Sequence, residues 1–206
     1  MERAIWTAEG DRIPFYVRSG WSSVFRSSAE RDGRSSDTVD VLTTTVDHLF
    51  HDFGVPRFVK ADIEGAEGMV VDAIGRSAAK PTFVSVEDST GAVAARLHAI
   101  GYDRFQMVNQ GHLRRARKPS QSREGKDVPV KFDGKCSGFF GRDLPPSHWV
   151  DFTRLQAQMD FWNRLRRKEV NPLLAYASRR LGKLTNRGWL LDTGWADIHA
   201  TTTGQL

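Results

Sequence analysis

The stretch from Phe58 to Ile74 constrains the fold more than any other part of the chain. Phe58-Val59-Lys60-Ala61-Asp62-Ile63 is a short apolar run, bounded upstream by Gly54 and Pro56. It passes directly into Glu64-Gly65-Ala66-Glu67, after which Met69-Val70-Val71-Asp72-Ala73-Ile74 recur at helical spacing. A strand that turns straight into a helix is half of a β-α-β unit, and a second such unit follows. Thr82-Phe83-Val84-Ser85-Val86-Glu87 reads as a strand and Ala92 to Ile100 as a helix. Gly101 closes that helix, and Tyr102 to Val108 gives another strand. Strands alternating with helices of about ten residues predict an α/β fold with a largely parallel sheet.

The flanks are read less sharply. Ile13-Pro14-Phe15-Tyr16-Val17 is rich in β-formers and follows the turn-like Glu9-Gly10-Asp11, which predicts a hairpin. Residues 19–38 are loop by composition, and Val39 to Thr45 is β-branched enough for a strand. A short helix then begins after Thr45 as its cap, with Val46, Leu49, Phe50 and Phe53 at helical spacing. Residues 111–135 are polar and basic and predict a long surface loop; Ser137-Gly138-Phe139-Phe140 predicts a final edge strand. From Trp149 onward Phe152, Leu155, Met159, Trp162 and Leu165 recur at spacings of three and four, and a second helix is expected from Pro172 to Leu184. This divides the chain into a domain over residues 1–150 and a helical C-terminal extension over 151–206.

Several function classes drop out. No run approaches the ~18 consecutive apolar residues that a membrane-spanning helix needs. The single cysteine, Cys136, excludes an intrachain disulfide and a cysteine-cluster metal site. With no apolar leader after Met1, a cytoplasmic location is expected. The net charge of +5 is concentrated in Arg114, Arg115, Arg117, Lys118, Arg123 and Lys126, and again in Arg164, Arg166, Arg167 and Lys168. Such clusters are ordinarily solvated faces, and without a nucleic-acid-binding signature beside them no nucleic-acid partner is expected.

In open α/β sheets ligands bind outside the carboxyl ends of the strands. Asp62, Glu64 and Glu67 fall at one such end and Glu87 at the next, so neighbouring strands would bring them to one rim. A carboxylate at a strand end is rigidly placed and can take a proton from a reacting hydroxyl, which singles out Asp62 and Glu87. Glu64 and Glu67 also suit the first turn of a helix, where acids bond free amides and need no chemistry to explain them. The same carboxylates are a possible site for a divalent cation, although they lack the spacing of a calcium loop. His48 and His98 read as partly buried surface histidines. Ser22 and Ser23 read as loop residues with a possible ligand contact.

Taken together these segments resemble the FkbM family of S-adenosylmethionine-dependent methyltransferases. Val59-Lys60-Ala61-Asp62-Ile63-Glu64-Gly65-Ala66-Glu67 is similar to the family signature LKIDVEGAE. Around it the family order holds: Phe15-Tyr16-Val17, Trp21-Ser22-Ser23-Val24, Thr44-Thr45-Val46-Asp47-His48-Leu49, Val84 to Glu87, Gly101 to Gln110, and Ser137 to Pro145. The resemblance covers roughly residues 2–150. It implies a class I, Rossmann-like fold and methyl transfer from S-adenosylmethionine, typically to a hydroxyl oxygen of a small molecule or glycan. Asp62 and Glu87 would be catalytic, and Glu64, Glu67, Ser22 and Ser23 would bind substrate or a cation. Ala4-Ile5-Trp6 aligns just after the third strand of such a fold, where the adenine would lie. The glycine-rich turn that follows the first strand in this class has no counterpart before Ile13. The expectation is therefore a partial class I sheet, N-terminally truncated, with a non-catalytic remnant or interaction module as the alternative.

Overall fold

The computed structural model describes residues 2–18, 22–110, 121–126, 136–166 and 196–206. It is an α/β protein compatible with the Rossmann-like sheet that the resemblance implies. The chain divides into two compact units, Met1–Thr82 and Phe83–Leu206.

In the first unit, β1 (Ala4–Ile5), β2 (Arg12–Val17) and β3 (Asp37–Thr44) form a sheet in the order β1-β3-β2. The Glu9-Gly10-Asp11 turn does not close a hairpin. β2 pairs antiparallel with β3, from Arg12↔Leu42 to Val17↔Asp37, while β1 runs parallel to β3. The turn is held instead by Thr43, whose hydroxyl accepts from the Asp11 amide at 2.9 Å and donates to the Ala8 carbonyl at 2.7 Å. Pro14, which has no amide to donate, is accommodated because β2 lies at an edge of this sheet.

Thr45 caps α2 (Val46–Phe53) as its sequence predicts, its side chain accepting from the His48 amide at 3.0 Å. Gly54, at φ 79°, ends the helix. After β4 (Phe58–Ala61) and a five-residue turn, α3 (Glu67–Arg76) buries Val70, Val71, Ala73 and Ile74, the apolar face that the helical spacing defines. α1 (Arg26–Ala29) is a single turn within the 19–38 stretch, and its Ala29 is fully buried.

The second unit contains β5 (Phe83–Glu87), α4 (Ala92–Ala99), β6 (Arg104–Asn109), α5 (Phe152–Arg166) and β7 (Ala196–Thr201). Here the sequence reading needs correcting. The chain's last segment is not helical: β7 lies between β5 and β6 and runs antiparallel to both, so these neighbours are not the parallel pair expected. Its register runs Val84↔Ala200 to Glu87↔Asp197 on one side and Arg104↔Thr201 to Asn109↔Ala196 on the other. Flanked on both sides, all six residues of β7 are buried, the polar Asp197, His199 and Thr201 included.

α4 and α5 appear where their periodicity places them. Gly101, at φ 103°, stops α4. α5 buries Leu155, Met159 and Trp162, and Phe152 stacks on His98 with ring centroids 4.4 Å apart and planes at 14°. The predicted strand over 137–140 is absent. That segment leads into a 3-10 turn at Gly141–Asp143, tied by the Glu124 carboxylate accepting from the Arg142 amide at 3.2 Å and by Asp143 accepting from the Arg123 amide at 2.6 Å. The predicted helix at Pro172–Leu184, most of the basic loop, Trp21, Arg167 and Lys168 lie outside the described residues. Among the described residues no helix is long and apolar enough to cross a membrane.

Candidate active site

The signature acids lie in the first unit, on the turn between β4 and α3. Two successive residues there take left-handed backbone conformations, Glu64 at φ 52° and Gly65 at φ 101°. At Gly65 this is obligatory on two counts: an L side chain resists that φ, and a Cβ would stand 2.6 Å from the Ser28 hydroxyl. At Glu64 the conformation costs ~1–2 kcal/mol and must be held by its surroundings. Three contacts do so. The Ser23 hydroxyl donates to the Glu64 carbonyl at 2.8 Å, and the Glu64 carboxylate pairs with Arg31 at 2.9 Å. Glu67, the first residue of α3, folds its buried carboxylate back over the turn, where it accepts from the Ile63 amide at 3.0 Å and from the Gly65 amide at 3.0 and 3.3 Å.

These bonds give the signature's residues different jobs. Glu67 and Ser23, both almost fully buried, hold the backbone of the turn. Ser23 also accepts from the Phe25 amide at 3.0 Å and forms a bridge with Tyr16, fastening the 23–25 segment to β2. Ser22 is occupied locally, accepting from the Arg18 amide at 2.9 Å and donating to the Arg18 carbonyl at 2.8 Å. Arg18 in turn makes a two-pronged pair with Asp32, which holds that carboxyl below the usual range. The turn thus has a rigid floor made by Ser23 and Glu67, with Asp62 and Glu64 projecting from it.

Asp62 is the most open of the three signature acids, with its side chain 45% exposed and its carboxylate 3.3 Å from the Lys60 ammonium. Glu64 is more enclosed. Burial raises its carboxyl above the ordinary value; the Arg31 guanidinium opposes the shift, while the negative charges of Asp62 and Glu67 add to it. A carboxyl moved in that direction beside an open carboxylate is an arrangement suited to proton transfer. Sequence reasoning missed both cationic partners. Lys60 carried a signal, since it lies two residues before Asp62 and therefore on the same side of the extended chain. Arg31, inside a loop of mixed composition, carried none.

The remaining predicted residues lie apart along the chain. Glu87 ends β5 in the second unit, half-buried and opposite the buried Asp197 in register. Ala4 and Ile5 form β1, and Trp6 continues it by donating its amide to the Thr44 carbonyl at 2.9 Å. The half-buried Trp6 ring meets Phe25 at a centroid distance of 6.0 Å. An exposed aromatic face is the kind of surface on which a purine ring can stack. The Cβ positions of Gly10, Gly33 and Gly54 face open space, and that of Gly65 meets the Ser28 hydroxyl. The three signature acids have protein partners: Lys60 for Asp62, Arg31 for Glu64, and the Ile63 and Gly65 amides for Glu67.

Residues 4–104 match the model of the methyltransferase FkbM domain, a span that includes the β4–α3 turn and β5. No curated protein and no solved structure matches the chain. On that match, the segment from residue 4 to residue 104 belongs to the FkbM methyltransferase domain family.

Proposed function

We propose that this protein is an S-adenosylmethionine-dependent methyltransferase acting on a hydroxyl oxygen of a small molecule or glycan. The observation that carries the reading is the β4–α3 turn: a backbone braced by Ser23 and Glu67 that leaves Asp62 open beside the more enclosed Glu64. The cofactor, when bound, supplies the methyl group from its sulfonium. The chain's own part is to hold the acceptor and take its proton. Asp62, at a strand end with its carboxylate 3.3 Å from the Lys60 ammonium, is the acceptor for that proton, and Glu87 is the second carboxylate that the family resemblance assigns to catalysis. Glu64 and Arg31 together offer an acceptor and donors for a polyhydroxylated substrate. Trp6, with Ala4 and Ile5, would lie along the adenine.

Asp62→Asn keeps the size of the side chain and removes its basicity. Transfer of labelled methyl to a panel of hydroxylated acceptors should fall at least a hundredfold, roughly the contribution of a general base, with cofactor affinity by calorimetry little changed. Unchanged turnover would remove Asp62 from the chemistry. The second reading, a non-catalytic module, draws on the protein partners that Asp62, Glu64 and Glu67 already have. Failure of a demonstrably folded chain to bind S-adenosylmethionine at all would favour it.

A further inference from the structure

α5 carries two sets of residues at helical spacing. Leu155, Met159 and Trp162 are buried in the core of the second unit. Beside them Arg154, Ala157 and Phe161 border a cavity of about 460 Å³, whose other walls include Gln106 and Met107 of β6 and Trp149. The volume falls within the range of small-molecule sites. None of the residues proposed for methyl transfer lines it.

Three features of this cavity point to a ligand. Gln106 is only 4% exposed, yet its side-chain oxygen has no hydrogen-bond partner. A buried amide oxygen left in that state costs ~1–3 kcal/mol, which a donor in the cavity would recover once the amide turns toward it. Arg154 makes no side-chain ion pair or hydrogen bond among the described residues, and no Asp or Glu lines the cavity. It also stands in the first turn of a 15-residue helix, where the helix dipole disfavours a cation and favours an anion. The helix end itself is already capped by the Asp151 carboxylate, which accepts from the Arg154 amide at 2.8 Å, so an anion in the cavity would act on the guanidinium. Lastly, the half-buried Trp149 and Phe161 give the cavity aromatic walls, and Ala157, small and exposed among larger neighbours, keeps it open.

From these we infer that the second unit holds a binding site for a small aromatic carboxylate bearing an N–H or O–H donor. Arg154 pairs with the carboxylate, Trp149 and Phe161 enclose the ring, and Gln106 accepts from the donor. The site shares no lining residue with those proposed for methyl transfer and does not depend on their assignment.

The test uses the full chain and two matched probes, indole-3-acetate and its uncharged amide indole-3-acetamide, titrated by calorimetry. Saturable binding is expected, with the carboxylate favoured about tenfold or more over the amide, as a charge-assisted pair provides. Arg154→Gln should remove that preference without affecting the amide. Ala157→Trp, at an exposed helix position, should fill the cavity and abolish binding of both probes while the thermal unfolding transition is retained. Equal affinities for acid and amide in the native chain would overturn the anion assignment. Binding that survives Ala157→Trp, or a folded native chain that binds neither probe at millimolar concentration, would overturn the site itself.

Discussion

At the scale of single residues, the signature turn shows how an apparently catalytic motif divides its labour. Its two left-handed residues are consecutive, and the second faces Ser28 too closely for any side chain. Gly65→Ala therefore meets two penalties, a strained φ and a collision with the Ser28 hydroxyl. It should cost ~1–3 kcal/mol in urea unfolding. Adding Ser28→Ala should recover the steric part and leave about 1 kcal/mol of backbone strain. A double variant no more stable than Gly65→Ala would show that the hydroxyl is not the obstacle. The pattern Glu-Gly-Ala-Glu was readable as acids in a first helical turn; Glu67 does begin α3, but the amides it accepts from, those of Ile63 and Gly65, precede the helix. Its reach back over the turn depends on the backbone path, which no spacing rule encodes.

At the scale of elements, the β5–α4–β6 unit was legible because each part carries its own local signal. The helix has alanines and a leucine at good spacing, a stop at Gly101, and a start set by residues just upstream. That start is held by Asp88, which is almost fully buried. Its carboxylate accepts from the amides of Thr90, Gly91 and Ala94 at 2.8–2.9 Å and from the Thr90 hydroxyl at 3.1 Å. Asp88→Ala leaves these donors without an acceptor and should destabilise the chain by about 1–2 kcal/mol, read as a shift in the urea midpoint. Asp88→Asn, which keeps one acceptor oxygen, should lose less. Equal losses for the two would indicate that charge, and not capping, is what Asp88 contributes. The expected edge strand at 137–140 failed at this same scale. Its aromatic residues look strand-like, but side chains at Glu124 and Asp143 hold the neighbouring chain in a turn.

At the scale of the whole molecule, β7 is the decisive piece. It supplies the backbone partners for one side of both β5 and β6, and Thr203 fastens its end to the start of β6 through two 2.7 Å bonds to Asp103. A chain ending at residue 195 would leave facing edges of β5 and β6 without hydrogen-bond partners, in strands whose side chains are mostly buried. Such a chain should lose its cooperative thermal transition and bind a hydrophobic dye. A sharp transition near that of the full chain would mean that the second unit does not need β7.

The sequence by itself determined what local physics controls: the strand-turn-helix units, the Thr45 cap, the stop at Gly101, the amphipathic α5, and the acids at strand ends. Each depends on neighbours within a few residues, where periodicity and φ preference act. Only the tertiary structure decided the pairing of β2 with β3, the insertion of β7, the choice of Glu67 as a brace and Asp62 as an open carboxylate, and the Arg31 partner of Glu64. In Ala196-Asp197-Ile198-His199-Ala200-Thr201 polar residues alternate with apolar ones, a pattern that ordinarily marks a half-exposed strand. Their burial is set by tertiary packing around a strand whose two neighbours lie more than eighty residues away in sequence. That is a long-range fact, and it follows from which edges were left to be paired.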